Sequence, residues 1–338
     1  MSFTRRELLR SAALGGLTAA LPGSLLAEES PLNLPLITRA IPSTGEKIPV
    51  IGIGTNQFRE ANYDELRAIL KRMAELGGTV IDTAAIYGNG ESETVIGKAL
   101  AELHLRAKMF VATKFNASGA TFFGGTPPPS LPAASAPAAT PARAPGTDSL
   151  SGRESVERSL QRLQTSRLDL LMIHFISSVE PMMPIMLELK KSGQTRYCGI
   201  TAVSPQLHPQ LMDYMRKYPI DFIQVDYSLG DRTVAAEVLP LAQKLKIAVM
   251  AAVPLGGGRH SLIQAAGGRE LPKWAADFDA TTWSQFFLKY VVSEPAVTCA
   301  IPGSSKLSHL EENQGAGRGR LPDADTRRKM EQFWDAKT

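Results

Sequence analysis

LDLLMIHF at 168–175, PIMLELKK at 184–191 and TRYCGITA at 195–202 form one strand–helix–strand unit, and the rest of the chain repeats it. The first and third stretches are short, near-continuous apolar runs, as expected of strands buried on both faces. The middle one has helical spacing. From residue 48 onward, apolar runs at 50–55, 79–84, 109–115, 168–175, 195–202, 221–229, 248–255 and 298–304 alternate with helical segments at 63–76, 92–102, 154–163, 184–191, 206–217, 234–245, 281–292 and 306–313. Such alternation predicts a parallel sheet covered by helices. Eight units in 338 residues predict a closed (β/α)8 barrel of the TIM type, in the α/β class. An open doubly wound sheet would want a phosphate-binding Gly-x-Gly-x-x-Gly after the first strand, and Gly52-Ile53-Gly54-Thr55 does not continue that way.

Several segments fall outside the repeat. Residues 36–48 read as a hairpin, with Ser43-Thr44-Gly45 at its turn, that can plug the N-terminal end of the barrel. Residues 323–335 read as a final polar helix, so the barrel domain spans 36–335. Residues 117–150 are Pro, Ala, Ser and Gly with almost no charge, and lack the apolar surface that would offset the entropy of ordering. They read as an insertion between the third strand and its helix, either a flexible spacer or a lid at the barrel mouth, with Phe122-Phe123 as a substrate wall in the second case. Residues 1–27 read as a transport address. Thr4-Arg5-Arg6-Glu7-Leu8-Leu9 resembles a twin-arginine signal, and a short apolar stretch and a cleavage site after Ala27 follow it. The expected location is periplasmic, reached in the folded state, with no stable membrane span after signal removal.

Composition narrows the function classes. Hydrophobic residues make up 43% of the chain, enough for a large core, and the net charge is +4. Without Arg5, Arg6, Arg10 and Glu7 of the address it falls to +2, a solvated surface and not a nucleic-acid footprint. Cys198 and Cys299 form no CxxC pair or ligand cluster, so no metal site is expected; they read as buried apolar thiols, with a disulfide as the lesser alternative. Met182, Met183, Met186, Met212 and Met215 read as helix packing, and His104, His208 and His260 as surface residues.

In a barrel of this type, polar residues at the C-terminal ends of the strands converge on one mouth. Four stand out: Asp82 in VIDTA, Tyr87 in AAIYGNGESE, Lys114 in VATKF and His174 in LLMIHF. Together they suit proton transfer to a carbonyl oxygen while hydride arrives at carbon. A free tyrosine, with a pKa of about 10, is a sluggish acid at neutral pH. An ammonium at Lys114 lowers that pKa, Asp82 holds the ammonium in place, and His174 orients the carbonyl.

These stretches resemble the aldo-keto reductase family. GEKIPVIGIGT, VIDTAAIYGNGESETVIGKAL, VATKF, ERSLQRLQTSRLDLLMIH, GQTRYCGIT, FIQVDYSL and IPGSSKLSHLEEN fall in family order from residue 36 to about 314, apart from the insertion. The resemblance implies reduction of an aldehyde or ketone, or the reverse, with NADPH (or NADH) bound extended across the mouth. It assigns Tyr87 as general acid/base, Lys114 and Asp82 as its tuning pair, and His174 as the orienting residue. It also implies cofactor contacts from Gly54, Thr55, Asp82 and Gln224 near the nicotinamide, and from Leu255, Gly256 and Gly258 at the pyrophosphate. Ser304, Lys306, Glu312 and Asn313 fall in its adenosine segment.

Three positions depart from the family pattern. Where a Ser-Asn pair usually grips the carboxamide, this chain has Thr201-Ala202, and Thr201 can keep only one hydrogen bond. Ala252 stands where an aromatic often stacks under the nicotinamide, and Gly303 and His309 stand where basic residues often meet the adenosine phosphate. A second reading follows: an exported binding or scaffold protein on the same barrel, with impaired cofactor binding and little turnover. A third joins the two, with cofactor loaded before export and recycled by an unknown redox partner.

Overall fold

The computed structural model describes residues 30–117, 152–257 and 261–336. Residues 1–27, nearly all of 117–150, His260 and Gly258 lie outside the described residues. Pro31–Thr338 belong to one compact unit. It opens with an antiparallel hairpin of β1 (Thr38–Ala40) and β2 (Lys47–Pro49). Gly45 takes the left-handed turn position at φ +79°, and its N–H returns to the Ile41 carbonyl at 2.8 Å.

Eight parallel strands follow in chain order: β3 (Ile53–Gly54), β4 (Val80–Asp82), β5 (Phe110–Phe115), β6 (Leu168–Ile173), β7 (Thr195–Ala202), β8 (Phe222–Asp226), β9 (Ala248–Ala252) and β10 (Val297–Ala300). Each pairs with the next in sequence. The two ends join through parallel bridges from Ile51 to Ala300 and from Gly54 to Gly303, so the sheet is closed. Gly54 is needed at this seam, because a Cβ there would stand 3.0 Å from the Ile301 carbonyl oxygen. The helices are α1 (Tyr63–Glu75), α2 (Glu91–Glu102), α3 (Gly152–Arg162), α4 (Val179–Lys191), α5 (His208–Lys217), α6 (Val238–Leu245), α7 (Leu262–Ala266), α8 (Trp283–Ser293), α9 (Leu307–Ala316) and α10 (Ala324–Asp335).

The period-2 alternation of the strands separates two cores. Val80, Phe110, Ala112, Leu170, Met172, Tyr197, Phe222, Ala248, Met250 and Cys299 fill the barrel, and Ile41 and Ile48 of the hairpin plug its N-terminal end. Ile81, Val111, Leu171, Cys198, Ile200, Ile223, Val225 and Val249 face the helices. Cys198 and Cys299 are buried and unpaired, in strands that are not neighbours. Met182, Met183, Met186 and Met215 pack in the helix-side core.

Some expectations need adjustment. Helix α4 begins five residues before 184, because Pro181 lies in its first turn, where no amide donor is required. Helix α7 and a 3-10 turn at Lys273–Phe278 were not expected from the pattern. His208 is not at the surface: it starts α5, is 5% exposed, and its Nε2 lies 3.1 Å from Asp226 Oδ1. Among the described residues, no helix is long and apolar enough to cross a membrane.

Candidate active site

The alternation that builds the barrel core also builds the site. Continuing each inward-facing row one step towards the C-terminal end gives Asp82 after Val80, Lys114 after Phe110 and Ala112, and His174 after Leu170 and Met172. The same step gives Gln224 after Phe222 and Ala252 after Met250, and a second step past Tyr197, through Gly199, gives Thr201. These residues, with Tyr87, lie at the floor and wall of a cavity of about 470 Å3 or directly beneath it. Tyr87 arrives from the loop after β4. Gly88, Asn89 and Gly90 all have positive φ, and this left-handed run brings the chain straight into α2. Gly90 also admits the Arg162 guanidinium, whose Cζ would stand 2.2 Å from a Cβ.

Lys114 is fully buried and donates to Asp82 Oδ1 and Oδ2, both at 2.7 Å, and to the Thr83 carbonyl at 2.8 Å. Its three ammonium hydrogens can all be placed. Burial works against the charge, but Asp82 and then Tyr87 more than offset it, so the lysine pKa stands above its ordinary value. Burial pushes the Asp82 carboxyl up, against the pull of Lys114 and of the Gln224 amide, which donates to Asp82 Oδ1 at 3.1 Å.

Tyr87 is half-buried, with Lys114 Nζ 5.3 Å from its ring centre. Burial raises the phenol pKa; Lys114 pulls it down and Asp82 pushes it up, and the net direction is upward. The expectation that Lys114 would bring the phenol down towards neutrality is therefore reversed in the net. Burial outweighs the pull of the ammonium, which the Asp82 charge opposes in part. His174 meets Tyr87 edge-on at 5.8 Å and stacks on Phe175 at 4.9 Å. Burial, then Lys114, holds its pKa well below the ordinary imidazole value, so the ring is neutral. Its Nδ1 is buried without a hydrogen-bond partner.

The remaining residues implied by the family resemblance divide into two groups. Gly54, Thr55, Asp82, Thr201, Gln224, Leu255 and Gly256 line the first cavity. A second cleft of about 510 Å3 carries Leu255, Glu312 and Asn313, and shares Leu255 and Gly303 with the first. Ser304 is buried behind it, accepting from Asn313 Nδ2 at 2.9 Å. Lys306 is exposed just before α9 and lines neither cleft. Several groups are already engaged: Thr55 Oγ1 donates to the Asp82 carbonyl at 2.9 Å, and Thr201 Oγ1 donates to the His174 carbonyl. Ala202 packs on the helix side of the sheet, and Ala252 faces the barrel interior.

Sequence reasoning missed Asn56, Ile86, Val203 and Val253 in the first cavity and Arg269, Thr281 and Thr282 in the second cleft. Val253 carried a signal in its place directly after β9. It is 45% exposed, with φ +44°, an outlier for a β-branched residue.

A model of the family described as aldo/keto reductase matches residues 50–331. A protein named Probable aldo-keto reductase 1, from Glycine max, is 26% identical over 323 residues, covering 85% of this chain and 86% of that one. An uncharacterized oxidoreductase of Mycobacterium bovis is 31% identical over 301 residues, covering 79% of this chain and 83% of that one. Among solved structures, the holo form of an aldo-keto reductase from Bacillus halodurans superimposes with a TM-score of 0.66 at 22% identity, covering 89% and 96% of the two chains. One from Klebsiella pneumoniae in complex with NADPH gives 0.65 at 22% identity, covering 88% and 96%. The family match spans the eight barrel strands and both clefts described above, and the chain belongs to the aldo/keto reductase family.

Proposed function

We propose that this protein is an NADP(H)-dependent oxidoreductase that interconverts a small aldehyde or ketone and its alcohol, with Tyr87 as the general acid/base. The observation that carries the reading is one arrangement: a protonated phenol and a neutral imidazole at the same cavity wall, with a buried Lys114–Asp82 pair behind them.

The shape suits an extended dinucleotide. The two clefts join at Leu255 and Gly303, and a Cβ at Gly303 would meet nothing closer than 3.8 Å, so the passage is open there. Gly54, Gln224, Leu255 and Gly256 would hold its nicotinamide and pyrophosphate parts, and Glu312 and Asn313 its adenosine end. When bound, the cofactor supplies hydride to the carbonyl carbon. The protein supplies the proton. Tyr87 Oη delivers it to the carbonyl oxygen, and the phenolate left behind is stabilised by the Lys114 ammonium. His174 orients that oxygen. A buried nitrogen without a partner is better tolerated as a lone pair than as an N–H, so Nδ1 stays bare and Nε2 carries the donor. Cofactor consumption with a panel of aldehydes and ketones tests the reading. Activity is expected to vanish in Tyr87→Phe, and full activity in that variant would refute the assignment.

A second reading, a barrel that binds or scaffolds with little turnover, is favoured by Gln224 and Thr201 being engaged within the protein and by the methyl groups at Ala202 and Ala252. Titration of NADPH against Trp283, which lines the second cleft, separates the two. Quenching with a melting shift of several degrees supports the enzyme; neither change supports the scaffold. Thr4-Arg5-Arg6-Glu7-Leu8-Leu9 supports export of the folded chain to the periplasm. Cofactor loaded before export and recycled there by a redox partner reconciles that location with hydride chemistry. Mass spectrometry of the periplasmic protein should find the cofactor bound, and an empty site would exclude this route.

A further inference from the structure

The N-terminal end of the barrel, opposite Tyr87, carries a separate cleft of about 700 Å3 bounded by the β2 hairpin strand and the approaches to β5, β6 and β7. Five basic and two acidic side chains line it. Both acids are committed. Asp169, 6% exposed, accepts Arg196 Nη1 on one oxygen at 3.0 Å, and Arg106 Nη1 and the Val111 amide on the other, also at 3.0 Å. Glu46 accepts from Arg196 and from Tyr197 Oη. Lys47, Lys108 and Arg167 are exposed at the same cleft and have no ion pair among the described residues. Five basic against two acidic side chains on one concavity is a local positive excess, in a chain whose total net charge is +4.

The cleft is also built to stay open and in place. Arg106 Nη2 donates to the Arg167 carbonyl at 2.8 Å, and Thr165 Oγ1 donates to the same carbonyl at 3.0 Å, which fixes the backbone that presents Arg167 and Ser166. Beneath lie Ile48, Met109 and Phe110, all buried, so no further acid waits to neutralise the charge. Like charges that face one another raise the energy of the free protein, and a bound anion removes that repulsion while gaining charge-assisted hydrogen bonds. The guanidinium of Arg167 suits a tetrahedral oxyanion in particular.

We propose that this N-terminal cleft binds a compact multivalent oxyanion of the phosphate class, held by Lys47, Lys108, Arg167 and the Ser166 hydroxyl. The volume exceeds that of a single phosphate and suits a diphosphate or a phosphorylated small molecule. The probe is inorganic pyrophosphate, titrated into the full chain at about 0.15 M salt with and without NADPH, and followed by calorimetry and melting. Expected is saturable binding with a melting rise of about 3 °C at tenfold excess over Kd. It should persist when NADPH is present and weaken at least tenfold in Lys108→Ala/Arg167→Ala. Those side chains are exposed, so the unliganded melting point of the variant should stay near that of the parent. Binding unchanged in the variant, or abolished by NADPH, would place the anion in the cofactor cleft and overturn the proposal, as would no binding at all. Flotation with phosphatidylglycerol vesicles identifies the source. Co-flotation lost in the variant points to a lipid phosphate, and pyrophosphate binding without co-flotation points to a free one.

Discussion

Replacing Asp82 by Asn should cost this fold several kcal/mol in a way that alkaline pH repairs. The substitution keeps the shape and an amide oxygen that can accept one hydrogen bond, but removes the charge that pairs with Lys114 at 2.7 Å on both oxygens. Lys114 is 1% exposed, so its ammonium would be left buried and unneutralised. Breaking a buried pair in this way costs about 3–5 kcal/mol. A ceiling exists, because the lysine can shed its proton instead. From a free pKa of about 10.4, deprotonation at pH 7 costs roughly 4.6 kcal/mol, and at pH 9 roughly 1.9 kcal/mol. In the parent protein the lysine pKa is raised by its partner. That contribution is fully present below the unfolded pKa and is lost only as pH passes the folded value, beyond this window. In the variant the folded pKa falls below the unfolded one, so stability rises with pH. Urea unfolding should show a deficit of about 3–4 kcal/mol at pH 7 that shrinks by at least ~1 kcal/mol at pH 9. Asp82→Asn/Lys114→Met should recover much of the loss at pH 7. A deficit below about 1 kcal/mol at pH 7, or one equal at both pH values, would refute the argument that the pair is ionised and dry.

Other perturbations test the surrounding structure. Because burial keeps the Tyr87 phenol protonated, carbonyl reduction should hold steady through neutral pH and fall only in the alkaline range, while alcohol oxidation should climb with pH; a reduction limb falling near pH 7 would contradict this. Lys289 is fully buried and donates to the Arg318 and Arg320 carbonyls at 2.6 and 2.9 Å, with burial pulling its pKa down to about 8. A depressed lysine penalises folding at low pH and relieves that penalty between about pH 8 and its unfolded value of about 10.5, so parent stability should gain up to ~3 kcal/mol over that window and Lys289→Met should lack this gain, as read by urea unfolding. Thr113 Oγ1 donates to the buried Glu93 carboxylate at 2.6 Å, clamping α2 to β5; Thr113→Val should cost about 1.5–3 kcal/mol in urea unfolding and lower kcat more than it raises KM. Val253→Asn should raise the melting point by relieving about 1 kcal/mol of left-handed strain at φ +44°, and a lower melting point would show that the valine's contacts outweigh the strain.

Much of this was legible in the sequence because the barrel repeats one rule. Apolar runs between helical segments located all eight strands, and strand parity then fixed which residues face the mouth. Asp82, Lys114 and His174 each stand one inward step beyond a buried apolar residue, Val80, Ala112 and Met172. Edges were less legible. The run at 298–304 continues past the strand because Ile301 still packs inside the barrel and donates to the Ala251 carbonyl at 3.0 Å, and Gly303 still bridges to Gly54 at the seam. His208 looked like a surface residue because its buried partner, Asp226, is 18 positions away and comes from a strand end, which helical periodicity does not reveal. The direction of the Tyr87 shift was also hidden, since it depends on how far Asp82 neutralises Lys114 and how deeply the phenol is buried.

The engagement of Gln224 ties these points together. Its amide nitrogen is bound to Asp82, so the residue that would grip a carboxamide also helps to hold the carboxylate of the pair behind Tyr87. With Thr201 donating to the His174 carbonyl, two side chains of the cavity wall are structural partners of residues to which we assign proton transfer. A ligand that drew Gln224 away would remove one of the groups that favour the Asp82 carboxylate, and with it some of the charge that screens Lys114 from the phenol. The phenol would then become a stronger acid on occupancy of the cavity. On the proposed reading, binding and proton donation would be coupled through this one amide. Gln224→Leu should therefore weaken NADPH binding and also shift the alkaline limb of the reduction profile, whereas a purely structural glutamine would leave that limb where it is.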